Sequence, residues 1–281
     1  MKAYPVTVLC QVMRVSRSGF YEYLKRVEQG PVVDPTEQRL KSLMRQIFKS
    51  SKATYGSRRM MKELEKYGIT IGRFKTRRLM RELGLKAKAP RRFQVTTDSR
   101  HSFTVAPNVL NRQFNVQTPD KVWTADISYV WTLEGWLYLA VVMDLFSRRI
   151  VGWAMDQRMK TDLVLNALAM AYWHRKPSKG LLHHSDRGSQ YACPDYQKRL
   201  EHYGMIASMS RKGNCWDNAP MERFFGSLKS ERLNACRFAT RKSAKQEILD
   251  YISFYNGLRL HSTLGYRSPI DYEKELLKKA A

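Results

Sequence analysis

The sequence predicts an α/β core preceded by an all-helical, strongly basic region, and three observations carry that prediction. Residues 1–90 show only helical apolar spacing. Residues 122–209 alternate strand-like and helix-like patterns, beginning with an antiparallel meander. Charge is concentrated at the N-terminal end: of 50 Lys and Arg and 25 Asp and Glu, residues 1–100 hold 24 and 8. A formal charge of +25 on 281 residues with 43% hydrophobic composition describes a globular protein whose partner is a polyanion, nucleic acid first of all.

Other classes are excluded. The longest apolar run, residues 137–143, has strand length and falls well short of the ~18–20 residues that span a bilayer, so no membrane partner is expected. The N-terminus lacks the apolar core of a signal peptide. Cys10, Cys193, Cys215 and Cys236 lie far apart without metal-ligand spacing, as reduced thiols of a cytoplasmic protein do.

Taken in order, Val6, Leu9, Cys10 and Met13 mark one helix face. "RVSRSGFYEYLKR" predicts a second helix, capped by Ser16 or Ser18, with Phe20, Leu24 and Val27 inward. Gly30, Pro31, Asp34 and Pro35 read as a linker. Leu40, Leu43, Met44, Ile47 and Phe48 make the next amphipathic helix, and "SRRMMKELEKYG" another, closed by Gly68. "GRFKTRRLMRELG" makes a third, with Leu79, Met80 and Leu83 inward and Arg73, Lys75, Arg77, Arg78 and Arg81 outward. Five cations exceed what solubility requires, and a helix of this size fits a DNA major groove. Residues 1–90 are therefore expected to form a helix-turn-helix-type DNA-binding region. Residues 91–118 read as a basic extended linker along the phosphate backbone, and 119–281 as the catalytic core with a C-terminal helical segment.

"VWTADISYVW", residues 122–131, alternates apolar odd positions with Thr124, Asp126 and Ser128 at even ones. Aspartate is depleted in strands, and turn chemistry does not explain one in mid-strand. "LYLAVVMDLF" and "RRIVGWAM" complete the meander, with Asp144 shaping the hairpin turn. A helix over 161–174 leads to a strand over 181–185 that delivers Asp186 at its tip, just before Gly188. A helix over about 194–203 and a short strand over 205–209 follow.

In "NCWDNAPMERFFGSLKSERL", Pro220 suits a first helical turn and Met221, Phe224, Phe225 and Leu228 form a buried stripe. Glu222, Gly226 and Lys229 form the adjacent stripe, Gly226 leaving space for a close-approaching backbone. Three carboxylates in one cleft repel one another and raise their own pKa values. A divalent cation removes that conflict; Mg²⁺ suits a few carboxylates plus substrate phosphate oxygens, and two such ions serve in-line phosphoryl displacement.

His183 and His184 face opposite sides of their strand, so one is expected to pack inside and the other to line the cleft edge. Arg187, Gln190 and Tyr191 either contact nucleic acid or brace their loop. Tyr255, Asn256, Arg259, His261, Gly265 and Tyr266 read as a helix terminus packed on the core.

Strand, βαβ-like elements and an acid-bearing helix resemble the ribonuclease H-like fold. The segments "LCQVMRVSRSGFY", "YGSRRMMKELEKYGI", "RLMRELGLKA", "APNVLNRQF", "WTADISYV", "DLFSRRIVGW", "HHSDRGSQY", "DNAPMERFFGSLKSE" and "YNGLRLHSTLGYRSP" run in order over nearly the whole chain. Together they resemble the OrfB-type transposases of frameshifting bacterial insertion sequences, relatives of retroviral integrase with an Asp-Asp-Glu core.

The resemblance implies a metal-dependent polynucleotidyl transferase with Asp126, Asp186 and Glu222 as catalytic and metal-binding acids. It implies two Mg²⁺ ions, with Mn²⁺ as a substitute, and Lys229 near the element end. Arg187 and Gln190 are counted with the helical cations as DNA contacts. Cleavage at insertion-sequence ends would be followed by strand transfer into target DNA. The implied partners are the terminal inverted repeats and target DNA, a homo-oligomer on two ends, and an upstream-frame fusion partner, in a bacterial, cytoplasmic, DNA-associated setting. The alternatives are a structure-specific nuclease on the same fold and a catalytically silent DNA-binding regulator.

Overall fold

The computed structural model describes residues 4–28, 34–88 and 103–280. The expected break at Gly30 and Pro31, the end of the expected helical region at 89–90, and residues 91–102 of the expected linker lie outside them. The chain opens with α1 (Val6–Val12) and α2 (Arg17–Glu28). The expected inward faces are only partly realised: Cys10 is buried and Phe20 and Leu24 are half-buried, while Leu9, Met13 and Val27 are exposed. Two short helices enclose too little volume for a core of their own.

Helix α3 (Pro35–Ser50) begins where Asp34, read as linker, caps it by accepting from the Thr36 N–H at 2.8 Å, with Pro35 in the first turn. Helices α4 (Ser57–Glu65) and α5 (Arg73–Glu82) follow. Gly68 ends the turn after α4 at φ +73°, a left-handed conformation suited to glycine. Leu40, Met44, Ile47, Met60, Leu64 and Leu79 are buried as their spacing requires.

They do not form an isolated ball, because their cluster runs on into the core. The Tyr55 hydroxyl donates to the Leu258 carbonyl (3.0 Å) and accepts from the Leu260 N–H (3.1 Å), and Lys88 Nζ donates to the Glu231 carbonyl (2.8 Å).

The core sheet consists of β1 (Val122–Thr132), β2 (Gly135–Asp144), β3 (Ile150–Asp156), β4 (Leu182–Ser185) and β5 (Ile206–Met209), in the order β3-β2-β1-β4-β5. The meander is antiparallel, and β4 and β5 are added in parallel. Helix α6 (Thr161–Arg175) makes the crossover to β4; the single turn α7 (Ser189–Ala192) and α8 (Pro194–His202) lead to β5. Helices α9 (Ala219–Glu231), α10 (Arg241–Gly257) and α11 (Pro269–Ala280) complete the chain.

Both sheet faces are covered. Trp123 and Ala125 join α6 and α8 on one side. Val130, Leu139 and Val141 join α9, α10 and the α3–α5 helices on the other. The even-numbered face of β1, polar in sequence, is thus the face beneath α9, and the odd-numbered face leaves the core at Trp131, which is 56% exposed.

The described part of the expected linker, 103–118, has little regular structure but is docked. Leu110 is buried, the Val109 and Leu110 N–H groups donate to Ser208 Oγ, and Arg112 pairs with Asp217 at 2.7 Å. Backbone groups beside a sheet edge need partners, and β5 supplies them.

Close packing of α6 on β3 depends on Gly152, where an added Cβ would lie 2.3 Å from the Ala167 carbonyl oxygen and 2.7 Å from the Ala171 nitrogen. Gly152→Ala should lower the urea midpoint by the equivalent of about 1–3 kcal/mol, as overpacking against backbone does. An unchanged midpoint would mean that α6 shifts freely on the sheet.

Candidate active site

Register explains how two acids meet. Thr124 of β1 pairs with His184 of β4, so continuing the parallel pairing by two residues brings Asp186 level with Asp126 and on the same face. Helix α9 covers that face. Its buried stripe of Met221, Phe224, Phe225 and Leu228 anchors it, and Glu222 and Lys229 sit half-buried beside the stripe.

The carboxyl of Asp126 is held well above the usual carboxylate range, first by burial, then by the charge of Asp186 and, less, of Glu222. The Ile127 N–H, 2.7 Å from Asp126 Oδ1, and the Lys229 ammonium pull the other way. Burial raises the Glu222 carboxyl as well. Asp186 Oδ1 accepts from the Gly188 N–H at 2.9 Å, which fixes its orientation. Among the described residues no ready-made cage of three or more His, Cys, Asp or Glu ligands is present. Asp126 stands instead within electrostatic reach of both Asp186 and Glu222.

Lys229 lies over the Tyr129 ring, 5.2 Å from its centroid, and burial lowers its pKa while Asp126 opposes that. Gly226 does not serve a close backbone approach: no atom lies within 4 Å of where its Cβ would stand. It leaves α9 open between Glu222 and Lys229.

Several residues escaped the sequence reading. Asn218, at the start of α9, turns its side chain away from the helix and onto β1: Nδ2 donates to the Ala125 carbonyl (3.1 Å), and Oδ1 accepts from the Thr124 hydroxyl. That grip lies next to Asp126 and sets where Glu222 stands. Asp217 is fully buried and accepts from Asn108, Arg112 and Arg211, tying residues 108–112 to the approach to α9. An Asn or Asp before a helix signals only a cap, so sequence offered no sign of these long-range bonds.

Neither histidine lines the cleft edge. His183 Nε2 lies 3.1 Å from the Tyr196 hydroxyl, and His184 spans Ser208 Oγ (2.9 Å) and Ser210 Oγ (3.2 Å), both residues being buried. Strand β5, paired with β4 at the sheet edge, and helix α8 enclose both rings. Arg187 Nε donates to the Ser210 carbonyl (2.6 Å) and Gln190 Nε2 to the Met159 carbonyl (3.2 Å), so both brace their loop. Tyr191 is buried. Asp144 accepts from the Phe146 and Asp120 N–H groups and shapes the turn as expected; burial pushes its carboxyl up to about 7. Asn256 exchanges two hydrogen bonds with the Ile150 backbone, and Arg259 pairs with Glu231, so this helix terminus does pack on the core.

On α5, Arg73, Lys75, Arg77, Arg78 and Arg81 are all exposed. Arg78 is already paired with Glu37 (3.2 Å) and lies 3.7 Å from Glu82, whereas Arg73, Arg77 and Arg81 form no ion pair among the described residues. Phe74, passed over in the sequence, is 86% exposed among them.

A sheet of this order, with acids within β1, just past the end of the parallel β4 and on a covering helix, defines the integrase-core class of polynucleotidyl-transferase-type enzymes. Residues 116–215 and 222–277 match the family model of the integrase core domain, and residues 35–93 match that of an HTH-like domain. The chain is 45% identical over 274 residues to the insertion element IS600 uncharacterized 31 kDa protein of Shigella sonnei, covering 97% of this chain and 100% of that protein. It is 38% identical over 275 residues to the transposase InsF for insertion sequence IS3A of Escherichia coli (strain K12), covering 98% and 96%. Among solved structures, it is similar to a chain of a simian T-cell lymphotropic virus intasome in complex with PP2A regulatory subunit B56 gamma. There the TM-score is 0.49 at 15% identity, covering 76% of this chain and 70% of that one. The chain belongs to the transposases of IS3-type insertion sequences. Among the described residues no helix is long and apolar enough to cross a membrane.

Burial holds His184 neutral, depressing its pKa to about 4. The unfolded chain therefore binds a proton below about pH 6.5 that the folded chain refuses, and the stability His184 contributes is lost as pH falls. Relative to wild type, the cost of His184→Gln should shrink by about 1.4 kcal/mol per pH unit between pH 6.5 and 4.5, read from urea midpoints. A cost independent of pH would show that the imidazole is protonated in the fold.

Proposed function

We propose that this transposase cleaves DNA at insertion-sequence ends and transfers the released strand, with Asp126, Asp186 and Glu222 as the catalytic acids. The observation that carries the reading is the raised carboxyl of Asp126, held against Asp186 and Glu222 by β1, β4 and α9. Structural burial alone gives no reason to gather like charges; a shared divalent cation does. The donor set fits Mg²⁺: hard carboxylate oxygens, fewer than a full cage, with coordination positions left for water and phosphate oxygens. Two Mg²⁺ ions, or Mn²⁺ in their place, would be held by these acids and would supply Lewis-acid stabilisation of attacking and leaving oxygens.

The chain's own residues do the rest. The Gly188 N–H orients Asp186, Asn218 positions α9 and hence Glu222, and Lys229 offers a cation beside Asp126 to a phosphate of the element end. Residues 1–90 supply DNA docking through α5, with 91–118 as linker and 119–281 as the core. The exposed Phe74 adds an apolar surface of the kind that contacts a thymine methyl. The partners on this reading are terminal inverted repeats and target DNA, bound by a homo-oligomer that pairs two ends. A fusion with an upstream frame is the form expected to pair them best.

Asp126→Asn, Asp186→Asn and Glu222→Gln should each reduce nicking and joining of labelled element ends by at least about a thousandfold, with DNA binding nearly unchanged. Strand transfer by any one of them, correctly folded, would overturn the assignment. Nicking without joined products in the wild type would favour the nuclease reading.

Neutralising Arg73, Arg77 and Arg81 to Gln should lower the slope of log affinity against log salt by up to about three, one per phosphate contact. Arg78→Gln should change it less, because Glu37 and Glu82 already engage that guanidinium. Equal effects at Arg77 and Arg78 would show that the ion pairs open on DNA.

A further inference from the structure

A second site lies on the flank of α9 next to Glu222's. Ala219, Pro220, Arg223 and Ser227 follow one another along that flank and wall a cavity of about 350 Å³. Its other walls come from α4, Phe114 ahead of β1, the turn after β2, and the end of α10 with the segment that follows it.

The lining is one-sided in charge. Arg59, Arg148, Arg223 and Arg259 all border the cavity, and no Asp or Glu does. Glu231, just behind, is committed: it accepts from Arg259 (2.6 and 2.9 Å) and Tyr251 (3.0 Å), with Arg59 at 3.4 Å. One carboxylate therefore answers two of the four guanidiniums. The remaining donors are those of an oxyanion site: the hydroxyls of Ser227, Ser262 and Thr263, beside the first turn of α9.

Two buried polar atoms in this lining have no hydrogen-bond partner among the described residues: Arg148 Nη1 and His261 Nε2. His261 is 7% exposed, its ring edge-on to Tyr255 at 4.5 Å, and Arg148 is fixed by Nη2 donating to the Phe114 carbonyl (2.9 Å). A buried, unanswered polar atom is costly, and a fold that retains two beside a polar cavity is prepared for a ligand: Arg148 Nη1 donates to it, and His261 Nε2 offers an N–H or a lone pair according to its tautomer. Tyr255, Arg259 and His261 also give the sequence motif after α10 a task beyond packing.

We propose that this cavity is a phosphate site, filled by a backbone phosphate of the DNA on which the enzyme acts. The choice of DNA rests on the transposase reading and on position: the cavity adjoins both the helix carrying Glu222 and α4 of the HTH-like region. The phosphate chemistry itself stands on the lining alone.

The test uses the full chain. Melting temperature is followed against inorganic phosphate and pyrophosphate, with sodium chloride at matched ionic strength as control. The wild type should show a saturable rise with the phosphates only. Arg223→Gln and Ser262→Asp, both at exposed positions, should weaken half-saturation roughly tenfold or more, the worth of one charge-assisted hydrogen bond. No phosphate response beyond that of chloride in the wild type would overturn the site.

In a second arm, duplex DNA binding is measured across salt concentrations. The same two variants should lower the salt slope by about one, and inorganic phosphate should compete. Phosphate binding that the variants abolish, with an unchanged DNA slope, would overturn the DNA occupant and assign the cavity to a free phosphate compound. Neither arm requires cleavage or joining, so a failed catalytic assignment would leave both outcomes readable.

Discussion

The repulsion of Asp126 by Asp186 and Glu222 is the constraint on which the rest of this structure turns. Asp126 is placed in mid-strand, level with Asp186 just past the end of the neighbouring strand and beneath the helix of Glu222, so its negative charge is disfavoured by burial and by both acids. Holding such a group in place takes rigid neighbours. The antiparallel meander clamps β1 on one side, β4 on the other, and the apolar stripe of α9 above. The nearby Lys229 ammonium offsets part of the repulsion without neutralising it.

Placement of α9 follows from a second layer of contacts. Asn218 grips the β1 backbone, and buried Asp217 gathers Asn108, Arg112 and Arg211 into one network. Glu231 at the far end of the same helix binds Arg259, Tyr251 and Arg59, the last of these from α4. One helix therefore connects the acidic site, the basic cavity and the helices of the HTH-like region.

Much of this was legible in the sequence, for identifiable reasons. Period-two alternation around Asp126 and the apolar stripe of Met221, Phe224, Phe225 and Leu228 are local patterns, and they put two of the acids on the right elements. The parallel strand ending at Ser185 was visible as a short apolar run halted by glycine. What stayed hidden depended on long-range partners. His183 and His184 looked alike until β5 and α8 supplied serines and a tyrosine. Residues 103–118 carry no periodicity, so their docking on Ser208 and Asp217 left no trace. Arg78 was indistinguishable from Arg77 because Glu37 lies 41 residues away. Leu9, Met13 and Val27 had helical spacing but no wall to pack against.

The mutual repulsion is tested most directly by melting the wild type and Asp126→Asn at pH 7, first in chelator and then with added Mg²⁺. An acid whose pKa is raised by folding weakens the fold once ionised, so its removal should raise the melting temperature in chelator, by about 2–4 °C for each kcal/mol relieved. Mg²⁺ should then raise the wild type and leave the variant nearly unmoved. An Asn variant that melts at or below the wild type in chelator, with Mg²⁺ shifting both alike, would contradict the claim that the fold holds these acids in conflict for a cation to resolve.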